Sequence, residues 1–184
     1  MEAFLVSTGL VALAEVGDKT QLLSLVLATR FRRPWPIILG ILIATAANHA
    51  LAAALGAWAT TLAGPDVVRW ALGLSFIAMA AWMALPDELR LAQRGPERFG
   101  VLGTTIIAFF IVEMGDKTQV ATVALAAKYA AYAAVLAGTT AGMMIANIPA
   151  VLLGDKLAGR MPVRLVHAIA ALVFLVLGIL VLLS

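Results

Sequence analysis

The sequence contains no cysteine and only two histidines among its 184 residues. Without thiols there can be no disulfide, no thiolate metal site and no cysteine nucleophile, and two imidazoles are too few for a histidine-rich metal cage. Charge is scarce as well: Asp, Glu, Lys and Arg make up 12% of the chain, against the ~25% typical of soluble domains. Hydrophobic residues account for 63% and the mean hydropathy is +1.03. This is the composition of an all-α polytopic membrane protein. At ~20 residues per span the length accommodates roughly six transmembrane helices and leaves no room for a separate soluble catalytic domain. The opening Met1-Glu2-Ala3-Phe4 lacks the positive region of a signal peptide, and the apolar stretch behind it carries Glu15 and Asp18 in place of a cleavage site, so it is expected to stay as the first helix. The net charge of +3 and pI near 9.7 fit loop arginines facing anionic lipid, and no nucleic-acid binding is expected.

Apolar runs bounded by Gly, Pro and charge predict helices at 4–28, 36–62, 67–85, 101–127, 132–154 and 163–183. Arg30, Arg32 and Arg33 follow the first, Arg90, Arg94 and Arg98 the third, and Lys156, Arg160 and Arg164 lie between the fifth and sixth. The excess of basic residues marks these three loops as cytoplasmic, with only Arg69 and Lys128 on the other side, and predicts that both termini face out. Trp35, Trp58, Trp70 and Trp82 fall near span ends and read as interfacial anchors. The polar stretch 87–99 separates a first three-helix unit, 1–86, from a second, 100–184.

The two units are related. Glu15-Val-Gly-Asp-Lys-Thr-Gln21 recurs as Glu113-Met-Gly-Asp-Lys-Thr-Gln119, six of seven residues identical at an offset of 98. The same offset carries Gly40 onto Gly138, Gly56 onto Gly154 and His49 onto Asn147. Three spans per unit is an odd number, so the second copy must enter the membrane in the opposite sense. Two inverted repeats of this kind characterise transporters, because exchanging the conformations of the halves opens the site to one side and then the other.

Both motifs lie near the middle of their spans. A charge at the bilayer centre costs about 2.5–3.5 kcal/mol, so Glu15, Asp18, Lys19, Glu113, Asp116 and Lys117 must face inward. Spacing of i, i+3 and i+4 predicts Glu15, Asp18 and Lys19 on one helical face with Gln21 flanking, and the copy repeats this. Gly17 and Gly115 permit close helix approach or a local break. The carboxylates of Glu15, Asp18, Glu113 and Asp116, the amide oxygens of Gln21 and Gln119 and the hydroxyls of Thr20, Thr118, Ser24 and Thr122 are hard donors suited to Mn²⁺, Ca²⁺ or Mg²⁺. Four carboxylates and two lysines sum to −2, which one divalent cation or two protons would neutralise. Electroneutral exchange of the one for the other is the expectation, with Lys19, Thr20, Lys117, Thr118, Asn48 and Asn147 as secondary or coupling residues. Pro149, next to Asn147, is expected to kink its helix. His49 reads as a bond between helices and His167 as interfacial.

Other readings use the same residues. The carboxylates and lysines could form a purely structural ion network; the site could receive a basic amino acid; or rings of carboxylates could conduct cations without proton coupling. Hydrolytic chemistry is disfavoured, because no serine or histidine arrangement accompanies the carboxylates. No cofactor is expected, and the sequence leaves oligomeric state, including a homo-oligomer, open.

The two copies, Glu15-Val-Gly-Asp18-Lys19-Thr20 and Glu113-Met-Gly-Asp116-Lys117-Thr118, resemble the duplicated E-x-G-D-[KR]-[ST] signature of the Gdt family, which includes the Golgi manganese and calcium transporters of eukaryotes and bacterial manganese exporters. The resemblance covers essentially the whole chain. It implies a cation/proton antiporter moving Mn²⁺, and in some members Ca²⁺, out of the cytoplasm across the inner membrane. It also implies metal binding by Glu15, Asp18, Glu113 and Asp116, with Thr20, Gln21, Thr118 and Gln119 as helpers.

Overall fold

A computed structural model describes residues 1–83, 99–153 and 163–183. All regular structure among them is helical: α1 (Glu2–Glu15), α2 (Lys19–Phe31), α3 (Pro34–Leu62), α4 (Pro65–Met83), α5 (Gly100–Glu113), α6 (Lys117–Tyr129), α7 (Tyr132–Leu153) and α8 (Val163–Leu183). Helices α3, α4, α7 and α8 are each long and apolar enough to cross a bilayer, and they coincide with four of the expected spans. The spans expected at 4–28 and 101–127 are each divided in two, because the chain leaves the helix at Val16-Gly17 and at Met114-Gly115. At 1.5 Å per residue, the 14 residues of α1 or α5 reach only about 21 Å, short of the ~30 Å hydrocarbon core. Neither half-helix is long enough to cross a bilayer by itself. Most of the expected linker, with Arg90, Arg94 and Arg98, and the basic residues Lys156 and Arg160 lie outside the described residues. Helix α7 continues as a helix through Pro149 to Leu153.

Where helices meet in a membrane, small residues let backbones approach and van der Waals contact replaces the hydrophobic effect as the driving force. Gly138 and Gly142 of α7 lie against α1, where an added Cβ would sit 2.6 Å from the carbonyl oxygens of Phe4 and Thr8 respectively. Gly40 of α3 lies in the same way against α5, beside the Leu102 carbonyl and Thr105. Adding 98 to Gly40 gives Gly138, and subtracting it from Leu102 and Thr105 gives Phe4 and Ser7, the residues that Gly138 touches. The repeat thus extends from sequence to packing, with the long helix of each half seated on the first half-helix of the other. Helices α4 and α8 cross through Gly73 and Gly178, and Phe76 and Phe174, again 98 apart, pair with ring centroids 6.2 Å apart.

Candidate metal centre

The two broken segments have nearly the same backbone. Val16 adopts φ −64°, ψ 115° and Gly17 φ +79°; Met114 adopts φ −64°, ψ 120° and Gly115 φ +77°. The Asp18 N–H donates to the Glu15 carbonyl and the Asp116 N–H to the Glu113 carbonyl, each at 3.1 Å. These are type II turns, in which the third position requires positive φ and hence glycine. The motif is therefore a helix end, a turn and a helix start: Glu15 closes α1 and Asp18 is the N-cap residue of α2, as Asp116 is of α6. This corrects the expectation that Glu15, Asp18 and Lys19 share one face of a continuous helix. The turn redirects the chain after Glu15, so helical spacing does not relate residues on its two sides.

The glutamines brace these turns. Oε1 of Gln21 accepts the Gly17 N–H at 2.8 Å and Oε1 of Gln119 accepts the Gly115 N–H at 2.6 Å, while Nε2 of Gln21 donates to the Ala146 carbonyl of α7. The amide oxygens expected as ligands are thus engaged by the backbone in this structure.

Oxygens of Glu15, Asp18 and Asp116 converge within 4.8 Å of one another, and all three side chains are buried. A hard cation with metal–oxygen bonds of about 2.0–2.6 Å accepts opposed ligands up to about twice that distance apart, so the cluster has the right size. One Glu15 oxygen, Oε2, accepts a hydrogen bond from the Thr20 hydroxyl, whereas the buried Oε1 accepts none among the described residues. That leaves it free to serve as a ligand. Each lysine reaches the aspartate of the other copy: Lys19 Nζ lies 2.6 Å from Asp116 Oδ1, and Lys117 Nζ lies 3.6 Å from Asp18 Oδ1. Both lysines therefore line the centre, Lys117 completely buried and Lys19 about one quarter exposed. Thr118 donates to Asp116 Oδ2, and the Thr122 hydroxyl to the Thr118 carbonyl.

Glu113 is buried but takes different partners. Its Oε1 lies 2.9 Å from Nε2 of His49, and its Oε2 accepts from Thr45 at 3.3 Å and Asn48 at 3.4 Å, all three on α3. Asn48 also donates to the Phe110 carbonyl at the end of α5. Asn147, the equivalent of His49, takes its hydrogen bond from Ser24 at 2.7 Å. The two halves therefore differ chemically around these carboxylates: Thr45, Asn48 and His49, which surround Glu113, have Met143, Ala146 and Asn147 at the matching positions of α7.

The turns differ in their cover. Val163 of α8 lies where a Cβ on Gly17 would project, and His167 Nε2 is 2.8 Å from the Val16 carbonyl oxygen. At the second turn Met114 is 57% exposed and none of the described residues lies within 4 Å of the corresponding position on Gly115. His167, expected at the interface, is thus a contact of the first turn. A lone histidine in an apolar helix carries no local sign of a partner 151 residues away. The bracing role of the glutamines did leave a signal, the spacing of four between glycine and glutamine in both copies.

Comparison with known proteins identifies the family. The family described as "Divalent cation/proton antiporter GDT1" matches the chain over residues 3–90 and 101–184. A protein of Vibrio cholerae serotype O1, named as a candidate manganese exporter, is 47% identical over 184 residues, covering 97% of this chain and 90% of the relative. A GDT1-like protein of Synechocystis is 30% identical over 194 residues, covering 95% and 93%. No solved structure matches. With nearly its whole length matched, the chain belongs to the GDT1 family of divalent cation/proton antiporters.

Proposed function

We propose that the protein exports a divalent cation, Mn²⁺ before Ca²⁺, from the cytoplasm in exchange for protons, as a six-span inverted-repeat transporter of the inner membrane. The observation that carries the reading is the convergence of Glu15, Asp18 and Asp116, drawn from both motifs, within 4.8 Å in a buried site. The candidate manganese exporter of Vibrio cholerae supports manganese as cargo. Each broken pair, α1–α2 and α5–α6, counts as one span, which with α3, α4, α7 and α8 makes six.

In this reading the three carboxylates ligate the cation, which competes with Lys19 and Lys117 for aspartate oxygens. Glu113 joins the ligand set when the halves exchange conformation, and Gln21 and Gln119 hold the turns that aim the aspartates. Crowded carboxylates repel one another, so a departing cation is replaced by protons; two restore the charge that one divalent cation supplied. Unequal cover of the two turns supports alternating access, since α8 closes over the first while the second stays open.

The test is Mn²⁺ and Ca²⁺ flux into proteoliposomes containing a lumenal pH dye, with and without an imposed proton gradient, for the wild type and Asp18→Asn. Metal entry that drives protons out, absent in the variant, is the expected result, and the faster ion identifies the cargo. Metal flux indifferent to the gradient would replace exchange by a channel. Protons moved by lysine or arginine and by neither metal would replace the cargo by a basic amino acid.

A further inference from the structure

Arg69 and Lys128 are the two basic residues that the charge distribution places opposite the cytoplasmic loops. One begins α4 and the other ends α6, yet both line a single cavity of about 680 Å³. This cavity adjoins a second, largely apolar one of about 250 Å³ between α3, α4 and α6, the two sharing Thr60, Ala63, Val68, Leu72 and Ala127. The apolar part exists because the facing side chains are small, with Ala59, Ala71 and Ala124 also on its walls. The combination is a basic mouth over a hydrocarbon slot, at the end of the helices.

The groups at the mouth are incompletely satisfied. Arg69 Nη2 lies 3.3 Å from Asp66 Oδ1, but Asp66 is 83% exposed, so this pair is screened by solvent. The Arg69 Nε is shielded from solvent and has no hydrogen-bond partner among the described residues. Lys128 Nζ sits 5.4 Å from the ring centre of Tyr129. With Asp66, Arg69 and Lys128 ionised the mouth carries one net positive charge, which complements one phosphodiester.

We infer that this compound cavity is a binding site for one anionic phospholipid, its phosphate held by Arg69 and Lys128 and an acyl chain lying between α4 and α6. A zwitterionic lipid offers the same tails without the net charge, and a soluble phosphate offers the charge without the tail. The site lies away from the carboxylate cluster and depends only on the chain residing in a bilayer, so its failure would leave the transport reading untouched.

The experiment is native mass spectrometry of the full-length protein in mild detergent. Phosphatidylglycerol, phosphatidylcholine and glycerol phosphate are titrated against the wild type, Arg69→Gln/Lys128→Gln and Ala71→Phe. Expected is retention of one phosphatidylglycerol per chain at least tenfold tighter than phosphatidylcholine, with the preference lost in the double variant and retention weakened in Ala71→Phe. Equal retention of the two lipids by the wild type would overturn the proposal whether or not the variants fold. So would undiminished preference in a folded double variant, or displacement of the lipid by glycerol phosphate at equal concentration.

Discussion

The imidazole Nε2 of His167 lies 2.8 Å from the carbonyl oxygen of Val16, so the last apolar helix of the chain touches the broken backbone of the first. The Val16 carbonyl precedes Gly17, and Val163, one helical turn before His167, packs over that glycine. Closure at this turn is therefore a matter of backbone shape as much as of side chains.

Gly17 and Gly115 should consequently respond differently to alanine. Both hold positive φ, which costs an L-residue about 1–2 kcal/mol. A methyl at Gly17 also meets Val163, whereas at Gly115 it meets none of the described residues within 4 Å. Gly17→Ala is expected to lower the thermal midpoint further than Gly115→Ala, and Gly17→Ala/Val163→Ala to recover part of the difference. Equal shifts for the two single variants would remove the packing of α8 on the turn.

The four acidic residues should separate into two groups in a binding assay. Glu15→Gln, Asp18→Asn and Asp116→Asn each remove an oxygen donor from the converged cluster, and a loss of at least tenfold in Mn²⁺ affinity is expected by calorimetry. Glu113→Gln should abolish transport while retaining most of that affinity, because Glu113 is held by His49, Thr45 and Asn48. A Glu113→Gln protein that transports at the wild-type rate would exclude Glu113 from the cycle.

The crossed lysines predict a double-variant rescue. Lys117→Met removes one partner of the buried Asp18, a change expected to cost up to about 3–5 kcal/mol for a buried pair. Lys19→Met should cost less, since Lys19 is itself partly exposed and its charge less desolvated than that of Lys117. Adding Asp18→Asn to Lys117→Met should restore much of the lost stability. Additive losses in chemical unfolding would mean that the two groups do not interact.

Glycines at helix contacts offer a control in the same assay. Gly56 lies directly against the Val123 carbonyl of α6, while a Cβ on Gly9 of α1 meets nothing within 4 Å. Gly56→Ala is expected to separate α3 from α6 and destabilise the protein. Gly9→Ala should be neutral or stabilising by up to about 1 kcal/mol, from helix propensity alone.

Much of this architecture could be read from hydropathy and repetition. Long apolar runs located α3, α4, α7 and α8 within a few residues, and the duplicated motif located the centre. Periodicity failed at Gly17 and Gly115, because hydropathy registers the apolar character of a segment and is blind to a single residue of positive φ within it. The cost of burying charge argued that Lys19 and Lys117 turn away from lipid and left open whether they line the site. It could not indicate that each crosses to the other copy, since that depends on two distant segments meeting. His167 was beyond reach for the same reason.

The crossed pairing also bears on how the chain is made. Asp18 leaves the ribosome 99 residues before Lys117, the ammonium group it faces in the finished protein. At about 5–20 residues per second this interval lasts about 5–20 s. Throughout it the first half of the chain, α1–α4, must hold an acidic residue that is buried in the finished protein without the second motif's lysine. Insertion of that unit is thus provisional until its twin arrives, and the earliest-made segment settles only when the later one docks.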